Sequence, residues 1–198
     1  TMTAKTIFDI AGASLPTGTP KDAALIVIDA QEEYRSGQLK LVGIEDALGN
    51  IGRLLSHWRE NGGTVIHVQH QAEGLFDPSG PYAAIIGDVA PTKDEAIVTK
   101  SVPSSFGNTN LDELLTEAGI KHVVLTGFMT HVCVSTTARV ANEKQYAVTV
   151  IADATGTRDL PDALSGSVIP AADLHRGELA MLADTFAKVV TTQDVLEA

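Results

Sequence analysis

The sequence predicts an α/β fold, a parallel sheet with helices on both faces, and three observations carry that expectation. Strand-like runs alternate with helix-like stretches: Ala24 to Asp29, Thr64 to His70, Ala96 to Lys100, His122 to Thr126, Ala147 to Ala152 and Lys188 to Thr192. Their cores, LIVI, TVIHV, VVLT, VTVI and VV, are almost unbroken in β-branched and aliphatic residues, as strands buried on both sides require. The chain has 198 residues and is 44% hydrophobic, the size of one ordinary domain with enough apolar material for one substantial core. A single domain spanning residues 1–198 is therefore expected.

The first strand ends at Asp29 and runs into AQEEY, with acids where a phosphate would sit and no Gly-x-Gly-x-x-Gly, which argues against a nucleotide site. From Ile44 to Glu60, Ile44, Leu48, Ile51, Leu55 and Trp58 recur at three- and four-residue spacing, an amphipathic helix ended by Asn61, Gly62 and Gly63. After the second strand, Gln71 to Lys93 carries Gly74, Pro78, Gly80, Pro81, Gly87 and Pro91, too many breakers for a long regular element. That stretch reads as a long loop with the makings of a lid. Helical patterns cover Asn110 to Ala118, His131 to Lys144 and Asp173 to Ala187, and a second long loop covers Asp153 to Pro170.

Composition narrows the function. A net charge of −11 leaves no basic footprint for a nucleic-acid partner. The longest apolar runs fall far short of the roughly 20 residues that span a bilayer, so no membrane partner is expected. The first residues, Thr1 to Lys5, lack the layout of a signal peptide, and a cytoplasmic location is the expectation. The lone Cys133 can make no internal disulfide and has no second thiol for a redox pair; it is either inert packing or a reactive group.

In open parallel sheets, ligands bind beyond the carboxyl ends of the strands. Asp29, His70, Lys100, the turn from Gly127 to Thr130, and Asp153 all close strands, so acid, base and nucleophile types share one rim. In TGFMTHVCVSTTARVA a strand passes through a tight turn into a helix, with Thr130 as the expected N-cap and Cys133 in the first turn. A helix start favours a thiolate and offers free N–H groups to an oxyanion, so a lowered thiol pKa is expected. His131, two residues away, points elsewhere and is not the expected base. Asp29 fits that role better, with turn capping as its plain structural alternative. Lys100 would favour both anions, unless it is only a solvated strand end. His67 and His70, three apart on a strand, project to opposite faces and cannot converge on one metal, so no metal and no cofactor is expected.

These residues resemble the isochorismatase-like cysteine hydrolases, relatives of nicotinamidase and N-carbamoylsarcosine amidase. The likeness runs from LIVIDAQEEY through VTKSVPSSF and TGFMTHVCVSTTARVA to ADAT and the helix after His175. It implies a three-layer α/β/α domain with a six-stranded parallel sheet and Rossmann-like topology. It also implies a catalytic triad of Asp29, Lys100 and Cys133, a cis peptide between Phe128 and Met129, and an oxyanion hole from the N–H groups of Met129 and Cys133. The metal-binding pattern that nicotinamidases carry after their second strand is missing, since the stretch here reads HVQHQAEG. Several true isochorismatases lack the cysteine, so Cys133 favours C–N chemistry on a small amide or carbamoyl compound. A vinyl-ether hydrolase using Asp29 as acid, and a non-catalytic scaffold retaining the fold, are the competing readings. Gln31, Tyr34, His70, Phe106 and Thr130 are the expected substrate wall, and the resemblance also implies a homo-oligomer, a dimer or tetramer.

Overall fold

The aliphatic runs pair as the pattern demands. The computed structural model describes residues 3–198; Thr1 and Met2, where the reading of the leader begins, lie outside the described residues. Six parallel strands, β1 (Ala23–Ile28), β2 (Val65–His70), β3 (Ala96–Lys100), β4 (His122–Phe128), β5 (Ala147–Gly156) and β8 (Lys188–Val190), lie in the order β3-β2-β1-β4-β5-β8. Every residue of β1 and β4 is buried, which is why their sequences do not alternate. The chain winds outward in both directions from β1 and β4, so the topological switch point falls between these two strands.

Two cores sandwich the sheet. Ala23, Leu25 and Val27 face α2 (Ile44–Glu60) and α6 (Thr192–Leu196), while Ala24, Ile26 and Ile28 face α3 (Leu111–Glu117), α4 (Ser135–Glu143) and α5 (Ala171–Thr185). The period-2 alternation of β1 thus feeds both layers. Helix α2 buries the predicted stripe, and Trp58 at its end donates its indole N–H to Ala23 O at 3.1 Å. The result is a single-domain three-layer α/β/α architecture with a six-stranded parallel sheet.

Several boundaries differ from expectation. β5 continues to Gly156, because beyond Leu125 its register with β4 shifts and Thr155 and Gly156 pair with Gly127 and Phe128. The rest of that loop forms a small hairpin, β6 (Leu160–Pro161) with β7 (Val168–Ile169). Thr192 opens α6 rather than closing a strand. The short helices α1 (Ile7–Ala11) and α6 add to the expected elements, and Thr6 with Asp9 and Thr191 with Asp194 form capping boxes at their starts. The segment 71–93 is no free flap: Ile86 N–H bonds Ala30 O, and Glu32 and Glu33 N–H bond Ala84 O and Tyr82 O.

Candidate active site

Three strands deliver the charged residues to one point. Asp29 follows β1 directly, in the left-handed region at φ 50°, a conformation that Asp tolerates better than most residues yet still strains. Lys100 is the last residue of β3 and pairs in register with His70, the last of β2, which puts the two side chains side by side. Cys133 comes from the turn after β4, across the switch point from Asp29.

That turn differs from the expected helix start. The Phe128–Met129 peptide is cis, and Thr130–Val134 form a π-helical turn before α4 begins. Val132 and Val134 N–H both bond Met129 O. Thr130 is not the N-cap; its hydroxyl is bonded to His175 Nδ1 at 2.8 Å, while His175 Nε2 contacts Ala152 O at 3.0 Å. His131 is turned aside to Thr157 Oγ1 at 2.7 Å, and Ser135 in the first turn of α4 is hydrogen-bonded to the Glu178 carboxylate. The cysteine turn is thus held by α5 and by the end of β5.

Lys100 binds the cluster together. Its Nζ lies 2.7 Å from Asp29 Oδ2, 3.3 Å from Cys133 Sγ and 2.9 Å from His70 Nδ1. Asp29, Lys100 and Cys133 are all buried, and His70 is partly so. Burial pushes the Asp29 carboxyl above its ordinary value against the pull of Lys100. Burial first, and then the Asp29 charge, push the Cys133 thiol up to about 12, with Lys100 opposing both. The lowered thiol pKa expected from a helix start is therefore overturned. A thiol shifted in that direction keeps its proton at neutral pH. His70 is driven down to about 4 by burial and then by the Lys100 charge, so its Nδ1 is an acceptor for the ammonium.

The family model for the isochorismatase domain matches residues 23–194. The chain belongs to the isochorismatase family of hydrolases. A secreted isochorismatase effector of Verticillium dahliae is 40% identical over 187 residues, covering 93% of this chain and 95% of the relative. The crystal structure of an isochorismatase from Pseudomonas putida superposes with a TM-score of 0.93 at 42% identity, covering 98% of this chain and 100% of that one. A ureidoacrylate amidohydrolase of Variovorax paradoxus is 28% identical over 211 residues, with 87% of this chain and 79% of the relative covered.

Within this isochorismatase-family site the predicted wall residues divide. Tyr34 is buried edge-on against Phe76 and Phe128, with centroids 5.2 and 5.8 Å apart, and Phe76 also meets the His70 ring at 5.2 Å. Phe76, from the segment 71–93, thus packs between Tyr34 and the His70 ring. Gln31 does not offer its amide to a ligand: Nε2 donates to His70 O and Ala83 O at 2.9 and 2.7 Å, and Oε1 accepts from His70 N–H at 2.8 Å. Thr130 is likewise occupied by His175. Phe106 is misplaced altogether, since its ring stacks on Tyr146 at 5.9 Å, and Tyr146 precedes β5 at the opposite end of the sheet.

The remaining candidates also resolve. His67 contacts Glu95 Oε2 at 3.0 Å, away from His70, which serves Lys100. Asp153 accepts from Thr192 N–H and Oγ at 2.7 and 2.8 Å, tying down the start of α6. A surface cleft of about 630 Å³ beside Arg59, Thr64, Glu95 and Leu114 lies at the amino ends of β2 and β3, remote from the nucleophile. Among the described residues, no helix is long and apolar enough to cross a membrane.

Proposed function

We propose that this isochorismatase-family hydrolase cleaves a C–N bond of a small amide or carbamoyl compound through a covalent intermediate on Cys133. The contact of one buried ammonium with both Asp29 and Cys133 carries this reading. Asp29 takes the thiol proton as sulfur attacks the carbonyl carbon, and Lys100 offsets the negative charge on the pair at each stage. The carbonyl oxygen becomes an oxyanion facing the N–H groups of Met129 and Cys133. Collapse breaks the C–N bond, and the nitrogen leaves with the proton held by Asp29. Water then attacks the thioester, giving its proton to Asp29, and the acid departs as the thiol re-forms. A base beside a protonated thiol suits this sequence, since a thiol pushed up to about 12 is not a nucleophile at neutral pH unaided. The amidohydrolase relative supports C–N chemistry.

The two most similar proteins named above are described as isochorismatases, which favours a second reading, vinyl-ether cleavage with Asp29 as the proton donor. A panel of small amides, carbamoyl compounds and isochorismate, assayed with wild type and Cys133→Ala, separates the two. Ammonia or amine release abolished in Cys133→Ala, with an acylated Cys133 trapped by mass spectrometry, is the expected result. Isochorismate turnover that survives Cys133→Ala would establish the second reading. Inertness of every substrate and of Cys133 toward alkylation would leave a scaffold.

A further inference from the structure

We propose that Asp29, His70 and Cys133 form a latent binding site for a zinc-class divalent cation, kept closed by the Lys100 ammonium. The three side chains each present a ligand atom, and these atoms lie within 4.8 Å of one another. Lys100 Nζ stands among them at 2.7, 2.9 and 3.3 Å. An ammonium has three N–H donors and no acceptor; that of Lys100 is hydrogen-bonded to His70 Nδ1 and Cys133 Sγ and ion-paired with Asp29 Oδ2, the fourth direction being its own carbon. Lysine is thus the resident cation of a three-cornered cage.

The donor set is that of a transition metal. Thiolate, imidazole and carboxylate together favour zinc over the oxygen-seeking magnesium and calcium. Zinc bonds to these atoms run about 2.0–2.3 Å, so the cage need contract by only about 1 Å around the smaller ion. His70 is already set for this task. Its Nδ1 carries the lone pair that now receives the ammonium, and its backbone N–H and C=O are both fastened to Gln31. Withdrawing Lys100 would leave the Asp29 carboxylate buried without a counter-charge, which binding of a divalent ion would supply. The site is separate from the second-strand metal pattern missing from HVQHQAEG, and it does not depend on which bond the enzyme cleaves.

The test uses cobalt(II) as a coloured stand-in for zinc, on chelator-dialysed wild type, Lys100→Ala, and Lys100→Ala combined with Cys133→Ala or His70→Ala. Lys100→Ala is expected to take up one equivalent and to gain a near-ultraviolet thiolate-to-cobalt charge-transfer band. Zinc should displace the cobalt and raise the melting temperature of the variant. The band should vanish with Cys133→Ala, weaken with His70→Ala and be missing from wild type at the same cobalt concentration. A folded Lys100→Ala without the band, or wild type showing it equally, would overturn the proposal. Should Lys100→Ala be recovered only unfolded, refolding with zinc but not with magnesium supports the site, and failure with both overturns it. In wild type, iodoacetamide labelling of Cys133 should be unaffected by zinc. Zinc protection that disappears in His70→Ala would show that lysine does not close the cage.

Discussion

Replacing Asp29 by Asn separates two effects that the residue exerts on Cys133. The carboxylate is the proposed proton acceptor, and its charge is also, after burial, one of the causes that push the thiol up to about 12. Asp29→Asn keeps the shape and removes the charge, so thiol acidity should rise while turnover falls. The expected outcome is faster iodoacetamide labelling at neutral pH together with a loss of about 10²- to 10⁴-fold in kcat on a confirmed substrate. Near wild-type turnover would reduce Asp29 to a turn residue. In wild type, labelling should climb about tenfold per pH unit through pH 9 without levelling, because the thiol stays below its pKa over that range; a plateau near neutrality would contradict the burial argument. Asp29, Lys100 and Cys133 were legible as candidates because each sits where a strand gives way to a loop or turn at one rim. The acidity of the thiol was not legible. A helix start is visible in the sequence, but the burial and the neighbouring charge that outweigh it are supplied by other strands. For the same reason Gln31 and Thr130 looked free until His70, Ala83 and His175 were brought against them.

Among the elements, β1 and β4 leave no room for a side chain at Gly127, where the site is built. A Cβ on Gly127 would stand 1.9 Å from Ile28 O, and its φ of +103° lies where side chains are rarely found. Gly127→Ala should therefore destabilise the fold by upward of about 4 kcal/mol, or prevent its recovery, as chemical denaturation would show. Gln31→Ala tests a different joint, the seam between β1, the end of β2 and the segment 71–93. It removes three hydrogen bonds and strands the backbone N–H and C=O of the half-buried His70, while Ala83 O keeps its bond from Gln69 Nε2, at a cost of about 1–3 kcal/mol. A lower melting temperature and new proteolytic cuts between Gly74 and Pro81 are expected, while an unchanged cleavage pattern would mean that the backbone bonds alone hold the segment. Regular elements were readable where period and length agree, as in α2. The π-turn was not, since TGFMTHVCV carries the pattern of an ordinary helix start. Nor was the extension of β5, which depends on pairing with β4 rather than on its own residues. The short helices α1 and α6 did have a signal in their Thr-x-x-Asp boxes.

At the scale of the molecule, the parallel sheet with helices on both faces was implicit in the alternation of buried strands and helices, while the order of its strands was not. Surface association is a different matter, as apolar residues on a loop carry no periodicity to betray them. Leu164 is 99% exposed and Val168 69% exposed, both on the β6–β7 hairpin, a two-stranded piece too small to be stable by its own contacts. A second copy of this chain covering that hairpin would bury both side chains, against the mutual repulsion of two chains each carrying a net charge of −11. Light scattering at micromolar concentration should accordingly give a dimer or tetramer. Added salt should strengthen the association, because screening weakens the repulsion and leaves the apolar contact intact. Leu164→Glu with Val168→Glu adds two negative charges at the contact and removes its apolar area, so the mass should fall to that of one chain while the circular dichroism spectrum stays unchanged. A wild-type mass of one chain at every salt concentration would contradict the association itself; an oligomer that survives the double substitution would place the contact elsewhere, with the exposed Ile97 on edge strand β3 the next surface to test.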